Sequence, residues 1–192
     1  MVQAGHWRDQ ILLDHLARHL AHDPAKAALF GYRAGAGAPV ELSYGQIDSL
    51  SSRLAVAMNR IGVRSGQVIS MQLPNWWQAM IIHLACLKIG AITNPLMPIL
   101  RDRELGFILG KARSRLFFVP ELFKGFDYPD MGARLKAQMP DMIDVVTIGS
   151  TEDDSFHQLM ALGENPGVPC EPLTPARPDD IIELLFTSGT TG

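Results

Sequence analysis

The sequence has little of what marks several common classes of protein. Its only cysteines, Cys86 and Cys170, lie far apart and in no CxxC or Cys/His zinc spacing, so neither a disulfide framework nor a structural zinc site is predicted. No sign of charge dominates, because 17 basic and 20 acidic residues give a formal net charge of -3. A nucleic-acid partner is therefore not expected, since nucleic-acid binders concentrate basic side chains on one surface.

Long hydrophobic runs are also lacking. The most apolar stretch, residues 76–100, is interrupted by Lys88, Pro95 and Pro98, well short of the roughly 20 apolar residues of a membrane-spanning helix. The N-terminal residues show no basic start followed by an apolar run, as a secretory signal would. Together with the sparse cysteines, these absences predict a cytoplasmic protein without a transmembrane segment.

What the sequence does contain is an alternation of strand-like and helix-like segments. This pattern is typical of an α/β fold with a largely parallel sheet flanked by helices. A small N-terminal hairpin is predicted before it, with the glycine-rich letters AGAGAP as its turn. The predicted helices are 10–21, Ser43 to Gly62, 75–88, 102–111 and 130–139, and the predicted strands are 27–33, 39–43, 68–73, 91–94, 115–119, 144–148 and 181–186.

Local signals mark the ends of two of these helices. The spacing of a capping box occurs twice, at Ser43 with Gln46 and at Asn75 with Gln78. In this motif the side chain of each residue accepts a hydrogen bond from the backbone NH of the other. Gly90 is predicted to stop the second helix, because glycine readily adopts the left-handed conformation that ends helices.

Prolines recur at every third position between Pro166 and Pro178. This period matches one turn of polyproline II, so residues 165–178 are predicted to form an extended connector along the surface. A proline-motif ligand for a partner domain is the alternative.

The apolar letters IIELLF at 181–186 predict a buried strand, which runs directly into TSGTTG at 187–192. Glycines let the backbone NH groups converge on an anion, and the hydroxyls add further donors. The Walker pattern, with its lysine, is absent. By itself, such a hydroxyl- and glycine-rich run is more typical of an ordinary loop than of a phosphate site.

Three stretches together resemble the adenylate-forming superfamily, which contains acyl-CoA synthetases, peptide-synthetase adenylation domains and luciferases. TSGTTG after an apolar strand is similar to the superfamily's signature loop, and LSYGQI at 42–47 and LKIGAITNPLMP at 87–98 resemble its first two core motifs. The stretch from LPNWW to RDREL, with VPELFKGFDYPDM, is most similar to the cyclohexanecarboxylate-CoA ligase group.

The resemblance implies a ligase that joins a carboxylic acid to coenzyme A through an acyl-adenylate, as in fatty acid metabolism. It assigns the β- and γ-phosphates of ATP to the loop, with a Mg²⁺-contacting hydroxyl at Thr187, whereas 42–47 and 87–98 are mainly structural. The loop residues concerned are Thr187, Ser188, Gly189, Thr190, Thr191 and Gly192.

The same resemblance implies that residues 1–192 are the N-terminal part of an AMP-binding domain. The loop's lysine, the adenine and ribose motifs and the C-terminal domain would lie beyond Gly192. The expectation is a chain that forms no acyl-adenylate alone and that dimerises or aggregates through the uncovered sheet. Two alternatives stay open: a non-catalytic nucleotide-binding or interaction module, and part of an adenylation domain that loads a carrier protein.

Several other residues have ordinary interpretations. His15, His19 and His22 have a spacing that suits a metal on one helix face, but without a nearby carboxylate pattern a solvated helix face is favoured. Trp76 and Trp77 are interpreted as packing at a helix end, and His83 as a hydrogen-bonded core histidine rather than a general base.

Overall fold

The computed structural model describes residues 9–32, 39–149 and 154–187. In chain order, its helices and strands are α1 (Leu12–His22), β1 (Ala27–Gly31), β2 (Val40–Ser43), α2 (Tyr44–Arg60), β3 (Val68–Met71), α3 (Trp77–Ile89), β4 (Ile92–Pro95), α4 (Asp102–Ala112), β5 (Leu116–Pro120), β6 (Leu122–Phe123), β7 (Phe126–Asp127), α5 (Tyr128–Ala137), β8 (Asp144–Ile148) and α6 (Ser155–Glu164).

A four-stranded sheet in the order β4-β3-β5-β8 forms the centre, and each of its pairings is parallel. The predicted α/β class with a largely parallel sheet is therefore confirmed. Strand β4, which follows β3 in the chain, lies on one side of β3, and β5 and β8 lie on the other side. Such a change in winding direction leaves a crevice outside the carboxyl ends of the strands, where open α/β sheets bind ligands.

Both faces of the sheet are covered by helices. Strand β5 shows this directly, because Leu116 and Phe118 join one hydrophobic cluster with α2, α3 and α6, whereas Phe117 and Val119 join a second cluster with α4 and α5. All four side chains are fully buried. Alternate side chains of a strand point to opposite faces, so a continuous apolar run is what a parallel strand between two helix layers requires.

The predicted N-terminal hairpin is confirmed as the antiparallel pair β1 and β2. Both strands are shorter than predicted, and most of the AGAGAP turn falls in 33–38, outside the described residues. No helix within the described ranges has the length and apolar character needed to cross a bilayer.

One predicted helix cap is confirmed and one is wrong. At α2, the Ser43 hydroxyl accepts from the Gln46 NH at 3.2 Å, and the Gln46 side chain accepts from the Ser43 NH at 2.8 Å. Helix α3 instead begins after Trp76, which has no side-chain cap. The buried Trp76 ring packs edge-on against Phe123, so tertiary packing, rather than Asn75, fixes this helix start.

The other end of α3 is as predicted. Gly90 adopts the left-handed conformation, with φ of 67°. The Ala91 NH then donates to the Cys86 carbonyl at 2.9 Å, which closes the last helical turn.

Sequence patterns missed two elements. Helix α6 has a usable signal, because Asp154 caps it through the His157 NH and Phe156, Leu159 and Met160 share its buried face. The short β6–β7 hairpin turns through Lys124 and Gly125, which both have positive φ, as a two-residue hairpin loop requires. Helix α5 also starts earlier than predicted, since its cap is Asp127.

The proline-rich residues 165–178 contain no helix or strand after Glu164, and they are fastened to the helices of one face. The Glu171 NH donates to Asn59 Oδ1 at 3.0 Å, and the Ala176 NH donates to the Leu87 carbonyl at 2.8 Å. The connector therefore runs along the surface to the far edge of β4, where the next segment lies; its polyproline II conformation stays a prediction.

Candidate functional site

Residues 181–187 lie along the outer side of β4. The Thr93 NH donates to the Ile182 carbonyl at 3.0 Å, and the Leu184 NH donates to the Thr93 carbonyl at 2.8 Å, which makes one parallel bridge between Thr93 and Glu183. This segment therefore extends the sheet in the direction that carries it to the carboxyl ends of β3 and β4.

The segment differs from the buried strand that its six letters predict. It forms a single bridge rather than a strand, and Ile181 and Leu185 are 68% and 65% exposed. The physical reason is its position at the sheet edge, where one side is paired and alternate side chains face outward. Ile182 and Phe186 still pack against the two hydrophobic clusters.

The predicted phosphate loop begins where this segment ends. Thr187 is described and exposed, whereas Ser188, Gly189, Thr190, Thr191 and Gly192 lie outside the described residues. The fold thus brings Thr187 to the edge of the sheet at which α/β proteins bind ligands. The anion-binding conformation of the loop stays a prediction.

A cavity of about 340 Å³ opens beside the same edge. Met71 and Pro95, the last residues of β3 and β4, form part of its wall, together with Trp77, His83 and Glu183. Its size is within the range of small-molecule pockets, and its lining combines aromatic and apolar groups with a few polar ones.

His83 is half-buried in the wall of this cavity and bonds through Nδ1 to Thr93 Oγ1 at 2.9 Å. Burial lowers the pKa of His83, and the Glu183 carboxylate acts weakly in the opposite direction. A histidine that is hydrogen-bonded at the edge of the core agrees with the sequence interpretation. Its connection through Thr93 to residues 181–187 was not predicted, because no sequence pattern links these positions.

A buried polar network holds the turn after β4. Gln72 donates through Nε2 to the carbonyls of Met97 and Leu100, both at 2.9 Å. Asn94 donates to Ser70 Oγ at 2.8 Å. Because these bonds fix residues 94–100, the last part of the second motif-like stretch, residues 94–98, has a structural task, as the sequence interpretation expects.

The second motif-like stretch also contacts helix α2, which begins within the first stretch. Lys88, from the second stretch, donates to Asp48 Oδ1 at 2.6 Å, to the Asp48 carbonyl at 3.0 Å and to Ser52 Oγ at 2.6 Å. Asp48 directly follows the first stretch. The Lys88 side chain is 14% exposed, so this ion pair locks α3 onto α2 in a partly dry environment.

A family model described as an AMP-binding enzyme matches residues 16–192 of the sequence. The chain belongs to the AMP-binding enzyme family. The fold is likewise that of an anthranilate CoA ligase solved in complex with anthranoyl-AMP, with a TM-score of 0.74 and 22% identity over 94% of this chain and 32% of that one.

Relatives of this family member include ligases of several acids. The chain is 34% identical over 194 residues to a medium-chain fatty-acid–CoA ligase of Escherichia coli, which covers 99% of the chain and 33% of that protein. It is 32% identical over 194 residues to a salicyl-AMP ligase / salicyl-S-ArCP synthetase of Mycobacterium tuberculosis, covering 98% and 33%. The chain thus spans about a third of the length of these relatives. The predicted superfamily is confirmed, and the cyclohexanecarboxylate subgroup stays a prediction.

Two of the three histidines of α1 contact other side chains in this AMP-binding family member. His15 Nδ1 lies 2.6 Å from Arg18, and His19 stacks on Tyr44 with ring centroids 4.5 Å apart. Among residues 9–32, 39–149 and 154–187, no group of three or more His, Cys, Asp or Glu side chains is placed to hold a metal ion.

Proposed function

We propose that the chain is the N-terminal part of an ATP-dependent acyl-CoA synthetase and supplies the beginning of its phosphate-binding loop. In the overall reaction, a carboxylate oxygen forms a bond to the α-phosphorus of ATP and pyrophosphate leaves. The thiol of coenzyme A then takes the acyl group, and AMP leaves. The nucleophile is already an anion, so positioning and charge neutralisation provide most of the catalysis.

The observation that carries this proposal is the parallel bridge between Thr93 and Glu183. It directs residues 181–187 to the carboxyl end of the sheet, so that the TSGTTG letters begin at the edge where ligands bind. In the proposal, backbone NH groups and hydroxyls of Thr187, Ser188, Gly189, Thr190, Thr191 and Gly192 hold the β- and γ-phosphates.

Magnesium would arrive as part of the Mg-ATP substrate and contact the Thr187 hydroxyl. The exposure of Thr187 at the sheet edge suits this role. Magnesium commonly takes one or two protein ligands, with substrate phosphates and water as the rest. A single hydroxyl fits a metal that the nucleotide carries.

We expect this 192-residue chain to form no acyl-adenylate by itself, because it would supply only part of the loop, lack the adenine and ribose motifs and lack most of the carboxylate pocket. Pyrophosphate release should stay at background when the purified chain is mixed with Mg-ATP, CoA and a panel of fatty and aromatic acids. A signal that grows with chain concentration and requires an acid would contradict this expectation.

A non-catalytic nucleotide-binding module is the alternative from a different class. Isothermal titration separates the two: a partial site should give no measurable heat with Mg-ATP, whereas a self-sufficient module should give a saturable one. Titration with magnesium and an unrelated anion, such as sulfate, controls for nonspecific charge effects.

Carrier-protein loading is the other alternative, and it keeps the enzymatic function; the likeness to the salicyl-S-ArCP synthetase favours it.

The two relatives described above act on a fatty acid and on an aromatic acid by name, so we propose the class of carboxylic acids as substrates. A cytoplasmic location is proposed on the sequence grounds given first.

A further inference from the structure

Three hydrogen bonds join residues 181–187 to strand β4, and each of the three involves Thr93. Its NH and carbonyl form the parallel bridge, and its hydroxyl donates a third bond, at 3.0 Å, to the Ile182 carbonyl. Thr93 is fully buried. Thr93 therefore supplies hydrogen bonds that hold the loop-bearing segment against the sheet, beside the packing of Ile182 and Phe186.

The bonding around this hydroxyl determines which nitrogen of His83 carries the proton. The Ile182 carbonyl can only accept, so the single hydroxyl hydrogen of Thr93 is directed at it. Thr93 Oγ1 must therefore accept from His83 Nδ1, which lies 2.9 Å away. In a neutral imidazole only one nitrogen bears hydrogen, so Nε2 is unprotonated.

The surroundings favour this neutral form over the imidazolium. Burial lowers the pKa of His83, and the Glu183 carboxylate opposes that effect without reversing it. Protonation at Nε2 would leave the Nδ1 hydrogen in place, so the bond to Thr93 survives in both charge states.

We propose that His83 and Thr93 are positioning residues that fix the register of residues 182–184 on β4 and so determine where Thr187 emerges. His83 acts through Thr93, by donating to the hydroxyl whose own hydrogen is committed to Ile182. The link to phosphate binding rests on the function proposed above. The series of hydrogen bonds from His83 through Thr93 to Ile182 does not depend on that function.

The matched substitutions are Thr93→Val, which keeps the shape but removes the hydroxyl, and Thr93→Ser, which keeps the hydroxyl. Native-state hydrogen exchange of the Leu184 amide reports directly on the bridge. Exchange should become about tenfold faster in Thr93→Val, because the loss of a hydrogen bond lowers the free energy of local opening. In Thr93→Ser it should stay within about twofold of the unmodified chain. An amide inside α2 provides the internal control for global unfolding.

A second pair tests the histidine. His83→Asn can place an amide NH near the position of Nδ1, whereas His83→Leu removes the donor. We expect Leu184 exchange near the original rate in the first variant and faster exchange in the second. In the unmodified chain, ¹⁵N spectra of the imidazole should show hydrogen on Nδ1 and none on Nε2 at neutral pH.

Equal exchange rates in Thr93→Val and Thr93→Ser would overturn the proposal, and so would an imidazole with its hydrogen on Nε2. The second measurement needs no substitution, so it decides the matter even if Thr93→Val does not fold. Neither measurement uses a nucleotide. A failure of the proposed function would appear in the nucleotide experiments alone, and a failure of the positioning role would appear here alone.

Discussion

At the scale of single residues, the imidazole of His83 couples protonation to folding. Burial lowers the pKa of His83 in the folded chain below its ordinary value, against a smaller opposing effect of Glu183. As pH falls, the unfolded chain therefore takes up this proton first, and the stability that neutral His83 provides is lost below about pH 6.5.

We expect the free energy of unfolding to decrease as pH is lowered from about 7.5 to about 5.5. The decrease should be smaller in His83→Asn, because the side chain at position 83 then no longer titrates. Urea unfolding of both proteins at the two pH values measures this. Identical losses in the two proteins would assign the pH dependence to other groups.

Lys88 is a second residue whose partners are nonlocal. Its ammonium group makes three hydrogen bonds to Asp48 and Ser52 across the interface of α2 and α3, with 14% of the Lys88 side chain and 40% of the Asp48 side chain exposed. Lys88→Met keeps the apolar stem but leaves the Asp48 carboxylate without its partner. We expect a loss of about 1–3 kcal/mol of stability.

The control for Lys88 is the exposed pair between Lys136 and Asp144, whose side chains are 39% and 56% exposed. Lys136→Met should cost about 0–1 kcal/mol, because water screens and replaces the interaction. Chemical denaturation of both variants provides the comparison, and equal losses would argue against a special role for Lys88.

At the scale of elements, the start of α2 depends on a reciprocal cap. Ser43→Ala removes the acceptor for the Gln46 NH and should cost about 1 kcal/mol. Ser49→Ala, at an exposed position in the same helix, should be neutral or slightly stabilising, because alanine is the better helix former. Thermal denaturation followed by circular dichroism checks the pair, and a similar shift in both would mean that the cap contributes nothing of its own.

The end of α3 depends on a glycine for two reasons. Gly90 has φ of 67°, and a Cβ built there would lie 2.6 Å from Ser65 Oγ and 2.7 Å from the Thr174 carbonyl. Gly90→Ala should therefore lower the free energy of unfolding by more than about 1 kcal/mol. The alanine would be strained in the left-handed conformation, and its Cβ would push Thr174 of the connector away.

Gly110 is the matched control, because it lies in helix α4 and a Cβ there meets nothing within 4 Å. Gly110→Ala should raise stability by about 0.5–1 kcal/mol. Opposite signs in equilibrium unfolding are the expected result. A Gly90→Ala variant as stable as Gly110→Ala would show that this helix end can rearrange.

At the scale of the whole molecule, strand β1 and the loop-bearing segment leave apolar side chains uncovered. Phe30, Ile181 and Leu185 are 57%, 68% and 65% exposed. Large exposed apolar surface promotes association, and an open sheet edge adds unpaired backbone groups. We expect this chain to self-associate with rising concentration.

Sedimentation velocity across a concentration series tests this expectation. The double substitution Ile181→Lys with Leu185→Lys should shift the chain toward monomer. Phe107→Lys, on helix α4 and likewise 68% exposed, should have less effect. A monomeric unmodified chain throughout the series would contradict the expectation.

The sequence by itself determined the α/β alternation, the cap at Ser43 and the stop at Gly90. Each of these follows from hydrogen bonds or side-chain periodicity within a few residues, which the order of amino acids encodes directly. The sequence TSGTTG at 187–192 likewise indicated the AMP-binding enzyme family without knowledge of the fold. By contrast, the start of α3 was placed wrongly because the burial of Trp76 overrides the local pattern at Asn75.

Only the tertiary structure decided the strand order β4-β3-β5-β8, the edge position of residues 181–187 and the chain of bonds from His83 through Thr93 to Ile182. Thr93 and Ile182 are 89 positions apart. The choice of partner at that separation depends on how all the helices and strands bury their apolar faces together, and no local pattern carries that free energy.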